Sequence, residues 1–264
     1  MAEFAPVRRT SVSAAVFDQI AAQILDGRLA PGATLPPERT LTEEFGVNRQ
    51  ALREALQRLD QLGLVEIRHG GATRVRDYRR SAGLDVLPRL FLRDDGTIDV
   101  DIVRSVMEMR TAIGADAAAL SAARMPAPLL DELHELVAGL AAADHDDAAR
   151  LAGIDAHFWD LVVDGSGNVC YRLSLNALRR AYQPVEPIVD RLMLDERRDV
   201  PGRRAMISAI AAGDAAAARA AAVRLLSQGG AAVLGHFRDP GPDPPPSPRS
   251  APDPAPNPNP EERR

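Results

Sequence analysis

The sequence predicts a mainly α-helical chain. A winged helix-turn-helix with a small β-hairpin wing lies near the amino terminus, an all-α helical bundle follows, and a disordered proline-rich tail ends it. Three observations carry this reading. Two short amphipathic helices and two alternating runs succeed one another between residues 38 and 78. From about 99 to 237 apolar residues recur at spacings of three and four, with no strong strand signal. Residues 239–264 are crowded with proline and almost without large apolar side chains. The expected division is 10–77 for the winged helix, 78–98 for a connector, 99–238 for an all-helical domain, and 239–264 for the tail.

Taking the elements in order, Pro36 and Pro37 fix an extended entry to a short helix over residues 38–45, where Leu41 and Phe45 face inward. Gly46 stops it and Val47 plugs the turn. Asn48 is a good N-cap for a second helix, whose Leu52, Leu56 and Leu59 form one apolar stripe. Gly63 ends that helix. LVEIR and TRVRDY alternate as two strands around the turn residues HGGA. After the connector's LDVLPRLFL, which reads as a short helix, helical segments begin at VDIVRSVMEM, PAPLLDEL, LAGIDAHFWD, NVCYRLSLNALRRAY and RRAMISAI. Pro126 and Pro128 separate the first two.

The charges of the amino-terminal unit suit a DNA groove. Arg49 and Arg53, four apart, share a face at the start of the second helix, where guanidinium forks reach guanine edges or phosphate. Arg39 stands at the start of the preceding helix, placed for phosphate or a base edge, and Asn48 and Gln50 lie beside Arg49. His69, Gly70 and Gly71 make a wing tip slim enough for a minor groove, and Arg74 anchors the wing. Through residue 80 there are 12 arginines against 10 acids, leaving 20 against 27 of the chain's 32 basic and 37 acidic residues for the rest. So small an excess points to placed arginines and a dimer rather than to diffuse attraction.

The run over residues 16–75, with ILDGRLAPGATLPPERTLTEEFGVNRQALREALQRLDQLGLV and RHGGATRV, resembles the GntR family of winged-helix regulators, and IRHGGATRV is most similar to the FadR subfamily. The resemblance implies that Arg39, Arg49 and Arg53 contact an operator, with His69 and Gly70 in the minor groove. MEMRTAIGADAAALSAAR and FWDLVVDGSGNVCYRLSLNALRRAY resemble the helical effector domains of that subfamily. Many of these hold a divalent metal with one aspartate and three histidines. Here the aspartate is Asp155, but the matching positions carry Trp159, Arg204 and about Leu225, so the resemblance implies that no metal cofactor is retained. His134, His145, His157 and His236 lack the spacing to restore one. Fatty-acid-responsive members bind long-chain acyl-CoA without a metal and release DNA, which makes an acyl-CoA the leading expected effector.

Arg110, Asp155, Trp159, Tyr171, Asn176 and Arg204 are the candidate effector residues: flat surfaces, a carboxylate and cations for a phosphate or carboxylate group. Trp159 and Tyr171 also read as core aromatics, Asn176 as a satisfied polar group and Arg204 as a surface residue. A small organic acid held by Arg110 or Arg204 is the alternative effector. The expected partners are a double-stranded DNA operator, a second copy of the chain and the effector, with no membrane.

Composition excludes several classes. The chain contains no lysine, so pyridoxal-phosphate chemistry through a Schiff base is unavailable to it. A single cysteine, Cys170, rules out an internal disulfide, suits the cytoplasm, and reads as a buried small hydrophobe. No signal segment or long apolar run is evident, and no compact set of catalytic acids, bases or ligands stands out.

Overall fold

The computed structural model describes residues 12–68, 71–91, 96–142 and 147–238. The expected tail and the His69–Gly70 pair lie outside the described residues, as does His145. Helix α1 (Val12–Leu25) buries Val16, Phe17, Ile20, Ala21 and Ile24 on one stripe. It packs against α3 (Arg49–Gln61), which is preceded by the short α2 (Glu38–Phe45). Gly46 closes α2 in the left-handed region at φ 64°, and the Asn48 side chain caps α3 by accepting from Ala51 N at 2.8 Å. Leu52, Leu56 and Leu59 form the buried stripe of α3.

The wing consists of β1 (Val65–Glu66) and β2 (Arg74–Val75), antiparallel with Val65 opposite Val75 and Glu66 opposite Arg74. Both strands are shorter than the alternation suggested. Asp77 caps a helical turn at once, so Tyr78 begins α4 (Tyr78–Ser81) rather than extending the strand. The segment entering α2 lies alongside β2: Leu35 N donates to Thr73 O and Val75 N to Ala33 O. Gly63, at φ 72°, lies so close to α4 that a Cβ there would sit 2.4 Å from Ser81 O, while Ser81 Oγ donates to Gly63 O.

A 3-10 turn (Leu84–Val86) and α5 (Leu87–Leu90) complete the connector. It packs on both sides. Val86 is buried in the winged-helix core, and Arg89 stacks on the Phe17 ring at 4.6 Å and pairs with Asp18 at 3.2 Å. On the other side Phe91 is buried in a cluster with Leu178 and Met107, and Asp85 pairs with Arg180.

The remaining helices are α6 (Val100–Arg124), α7 (Ala127–Ala141), α8 (Ala148–Gly165), α9 (Val169–Tyr182), α10 (Glu186–Leu192), α11 (Leu194–Arg198), α12 (Val200–Ala211) and α13 (Ala215–Arg238). The long pair α6 and α13 packs most extensively, with Ala115, Ala118, Ala218 and Ala222 buried where small side chains permit close approach. Proline breaks the run that follows α9: Pro187 stands in the first turn of α10 and Pro201 in that of α12. Cys170 is exposed, contrary to the buried position expected, because Asn168 caps α9 and sets the next residues on its outer first turn. Among the described residues no helix is long and apolar enough to cross a membrane.

Candidate functional site

Two places in the fold offer chemistry. The first is the outer face of α2 and α3. Arg39, Arg49, Gln50 and Arg53 are all exposed there, at the amino-terminal ends of their helices. Arg53 Nε donates to Glu38 Oε2 at 3.0 Å, which ties the first turn of α3 to that of α2. Arg39 lies 3.6 Å from Glu43, and Gln50 donates to Glu54. Such exposed pairs are weak and salt-screened, so phosphate or base can displace them. The Asn48 side chain is engaged in the helix cap, which makes it a positioning group. Arg74 and Gly71 are exposed on the wing, where Arg68 and Arg76 both approach Glu66.

The second is a cavity of about 390 Å³ among α6, α8, α9, α10 and α11, within the size range of small-molecule sites. Its apolar wall includes Met107, Ile113, Leu175, Leu178, Val189 and Met193. Gly114 makes room for Trp159: a Cβ there would lie 2.6 Å from Leu226 Cδ1 and 3.2 Å from the Trp159 ring. The Trp159 indole N–H is buried without a hydrogen-bond partner among the described residues.

The polar wall is built of closed ion pairs. Arg110 Nη1 donates to Glu196 Oε2 at 3.1 Å, and Nη2 donates to Glu196 Oε1. Arg197 donates to Asp190 Oδ1 at 2.7 Å, and Arg179 to Asp160 Oδ1 at 2.7 Å and Ala156 O at 2.6 Å. The fully buried Arg203 donates to Asp155 Oδ1 at 2.5 Å and to the carbonyls of Glu196 and Arg197. Burial pushes the Glu196 carboxyl above the usual range against the pull of Arg110. Burial likewise works against the Arg110 charge, but the Glu196 carboxylate outweighs it and holds Arg110 firmly cationic. Burial also pushes the Tyr182 phenol up.

Of the expected effector residues, Arg110, Asp155 and Trp159 line the cavity, whereas Tyr171, Asn176 and Arg204 do not. Tyr171 Oη donates instead to Asp116 Oδ2 at 2.6 Å, beside Arg219, on another side of the bundle. Asn176 is half-buried on α9 away from the cavity. Arg204 is exposed, and the neighbouring Arg203 is the one at Asp155. The helical period shows why: Arg203, Met206, Ile207 and Ile210 share one buried stripe, and Arg204 falls off it. Glu196, Arg197, Arg179 and Tyr182 escaped sequence reasoning because the packing of α9, α10 and α11 on α8 leaves no local motif.

These residues do not fit a divalent metal. Asp155 already accepts from Arg203 and has Arg197 Nε at 4.0 Å from its other oxygen, so guanidinium charge fills the place of a cation. Trp159 and the buried, apolar Leu225 supply no ligand atoms. Among the described residues no group of three or more His, Cys, Asp or Glu side chains could hold an ion.

The family model for bacterial regulatory proteins, gntR family, matches residues 12–75, and that for the FCD domain matches residues 105–228. The HTH-type transcriptional regulator Mce2R of Mycobacterium tuberculosis is 42% identical over 221 residues, covering 84% of this chain and 91% of that protein. The fatty acid metabolism regulator protein of Edwardsiella ictaluri is 33% identical over 162 residues, covering 61% of this chain and 65% of the relative. Among solved structures, Lar, which controls expression of the Listeria monocytogenes agr system, aligns with a TM-score of 0.52 at 16% identity over 87% of this chain and 99% of that one, a likeness of fold alone.

Proposed function

Because the chain belongs to the GntR family of bacterial regulatory proteins and carries an FCD domain behind its winged helix, we propose that it is a cytoplasmic transcriptional repressor whose DNA affinity is set by an acyl-type effector in the bundle cavity. In this reading two copies present their α3 helices to a pseudo-palindromic operator, with Arg49 and Arg53 at base edges, Arg39 on phosphate, and Asn48, Gln50, Gly71, Arg74, His69 and Gly70 supporting contact. Residues 10–77 form the DNA-binding unit and 99–238 the effector and dimerisation unit.

The observation that carries the coupling is the position of α9. Its Leu175, Leu178, Arg179 and Tyr182 line the cavity, while the connector packs on the same helix through Phe91 and the Asp85–Arg180 pair. An effector that moves α9 therefore moves the connector, and with it the winged helix held through Arg89 and Val86. About 3 kcal/mol of differential affinity between two arrangements changes occupancy over a hundredfold. The apolar wall favours an acyl chain, and a long-chain acyl-CoA is the first effector to try. Of the two cations proposed for a small organic acid, Arg110 is held by Glu196 and Arg204 lies outside the cavity.

The test is fluorescence anisotropy of the full-length protein on the DNA upstream of its own gene, with and without a long-chain acyl-CoA and with a chelator. Release by acyl-CoA that the chelator leaves unchanged is expected. Specific binding that acyl-CoA does not alter would overturn the effector assignment.

A further inference from the structure

Two guanidinium groups from different parts of the chain meet on one phenyl ring. Phe17 of α1 is fully buried, and Arg58, in the last turn of α3, stacks over its ring at 4.3 Å from the centroid. Arg89 of the connector stacks over the same ring at 4.6 Å. Asp18, the next residue of α1, pairs with Arg89 at 3.2 Å and supplies a counter-charge beside the two cations. A cation over an aromatic face is a directional contact, unlike apolar packing.

The connector also holds the turn just after α3. Ser81 Oγ donates to Gly63 O at 2.7 Å, and a Cβ on Gly63 would strike the backbone of α4. The carboxyl-terminal end of α3 is therefore fixed to the connector at two points, directly at Gly63 and through Phe17 at Arg58. The stripe of Leu52, Leu56 and Leu59 keeps α3 on the core, but non-directional packing allows a small tilt. Toward its amino-terminal end α3 is tied to α2 by the exposed Arg53–Glu38 pair, and a phosphate or base edge competes for that guanidinium.

The tilt matters because α3 is a lever. Arg49 stands nine residues before Arg58, roughly 13 Å along the helix at about 1.5 Å per residue, so a tilt of ~5° about the held end moves it by about 1 Å. Hydrogen bonds to base edges tolerate only about 0.3 Å around ~2.9 Å. We infer that Phe17, shared by Arg58 and Arg89, sets the tilt of α3, and that Phe17 and Arg89 are positioning residues for DNA reading although one is buried and the other stands on the connector. This rests on the reading of α3 as the helix that meets DNA, and it holds whatever the effector.

The full-length protein is titrated by anisotropy onto the duplex upstream of its own gene and onto a scrambled duplex of equal composition, with Tm followed alongside. Wild type, Arg89→Met, Arg58→Met and the double variant form a cycle. Arg89→Met is expected to weaken the specific duplex about threefold to fivefold, as the fraction of α3 in the reading pose falls, and to leave the scrambled duplex within about twofold. Tm should stay within about 4 °C of wild type. In the Arg58→Met background the same change should weaken specific binding less than about twofold. Asp18→Asn, which keeps the stack and removes the ion pair, should stay within about twofold of wild type on both duplexes. Phe17→Leu should lower specific binding as Arg89→Met does; the arginine cycle carries the test should that core change prevent folding.

Equal weakening on both duplexes would mean that Arg89 acts only as a charge. Full additivity in the cycle would mean that the ring joins nothing, and a loss in Asp18→Asn matching that of Arg89→Met would assign the effect to the ion pair. Each of these overturns the inference and leaves α3 the DNA-reading helix. If the wild-type protein bound both duplexes equally, that reading and the inference would fall together.

Discussion

Arg110→Met removes the side chain that pairs directly with a carboxylate of no exposure. In the native protein the Glu196 side chain is 0% exposed and Arg110 15%. Without Arg110, the direct hydrogen bond left to the Glu196 carboxylate among the described residues is that from Gly229 N at 3.2 Å. Removing one partner of such a buried pair is expected to destabilise the fold by about 3–5 kcal/mol. For a domain of this size ~1 kcal/mol moves Tm by ~2–4 °C, so the drop is expected at roughly 6–20 °C. The pH dependence has a definite sign. Burial already pushes the Glu196 carboxyl up, and losing Arg110 removes the main downward pull. Below the unfolded value of about 4.3 the carboxyl is protonated in both states and the penalty is absent. As pH rises through the raised folded value, the unfolded chain ionises more readily and stability is lost. Thermal and urea unfolding at about pH 5 and pH 8 should therefore show a gap to wild type that widens toward pH 8, and adding Glu196→Gln should recover most of it. A Tm drop below ~2 °C, or a gap that widens on acidification, would refute the reasoning.

Other outcomes follow from the same geometry. Arg49→Ala and Arg53→Ala should each weaken specific DNA binding by about 1–3 kcal/mol in anisotropy titrations, while thermal stability stays near wild type, since both residues are exposed. Asp155→Ala strands the buried Arg203 and should destabilise by about 3–5 kcal/mol in urea, whereas Arg204→Ala should stay within about 0.5 kcal/mol. Gly114→Ala drives a methyl into Leu226 and the Trp159 ring; an overpacking loss of about 1–3 kcal/mol and a changed Trp159 emission are expected. Hydrogen bonds from Tyr171 and Arg219 hold the Asp116 carboxyl below its ordinary range, so its contribution is present above the unfolded value and is lost as pH falls through the folded one. Asp116→Asn should accordingly flatten the acid limb of a stability profile.

The winged helix could be read closely from sequence because its determinants are local. Asn48 caps, Gly46 and Gly63 take positive φ, and Leu52, Leu56 and Leu59 keep one phase, each fixed by neighbours within a few residues. The strands came out shorter because Asp77 is a better helix cap than a strand residue, which alternation alone cannot reveal. The cavity was only half visible. Asp155 and Trp159 stood in a recognisable pattern, and Arg110 shares a helical face with Met107, Ile113 and Gly114. Arg203 was missed by one position, although its phase with Met206 and Ile210 marks it as a core-facing residue. The partners Glu196 and Asp190 depend on how α10 and α11 fold back on α8, a tertiary fact with no local trace.

The central claim, that this is a site-reading regulator, is tested most directly by the ratio of affinities for the duplex upstream of its own gene and a scrambled duplex of equal length and composition, at physiological salt of ~0.15 M. The expected ratio is about 10³ or more, falling sharply in Arg49→Ala and Arg53→Ala. A ratio near one, unchanged by either substitution, would leave only phosphate attraction and would contradict the account.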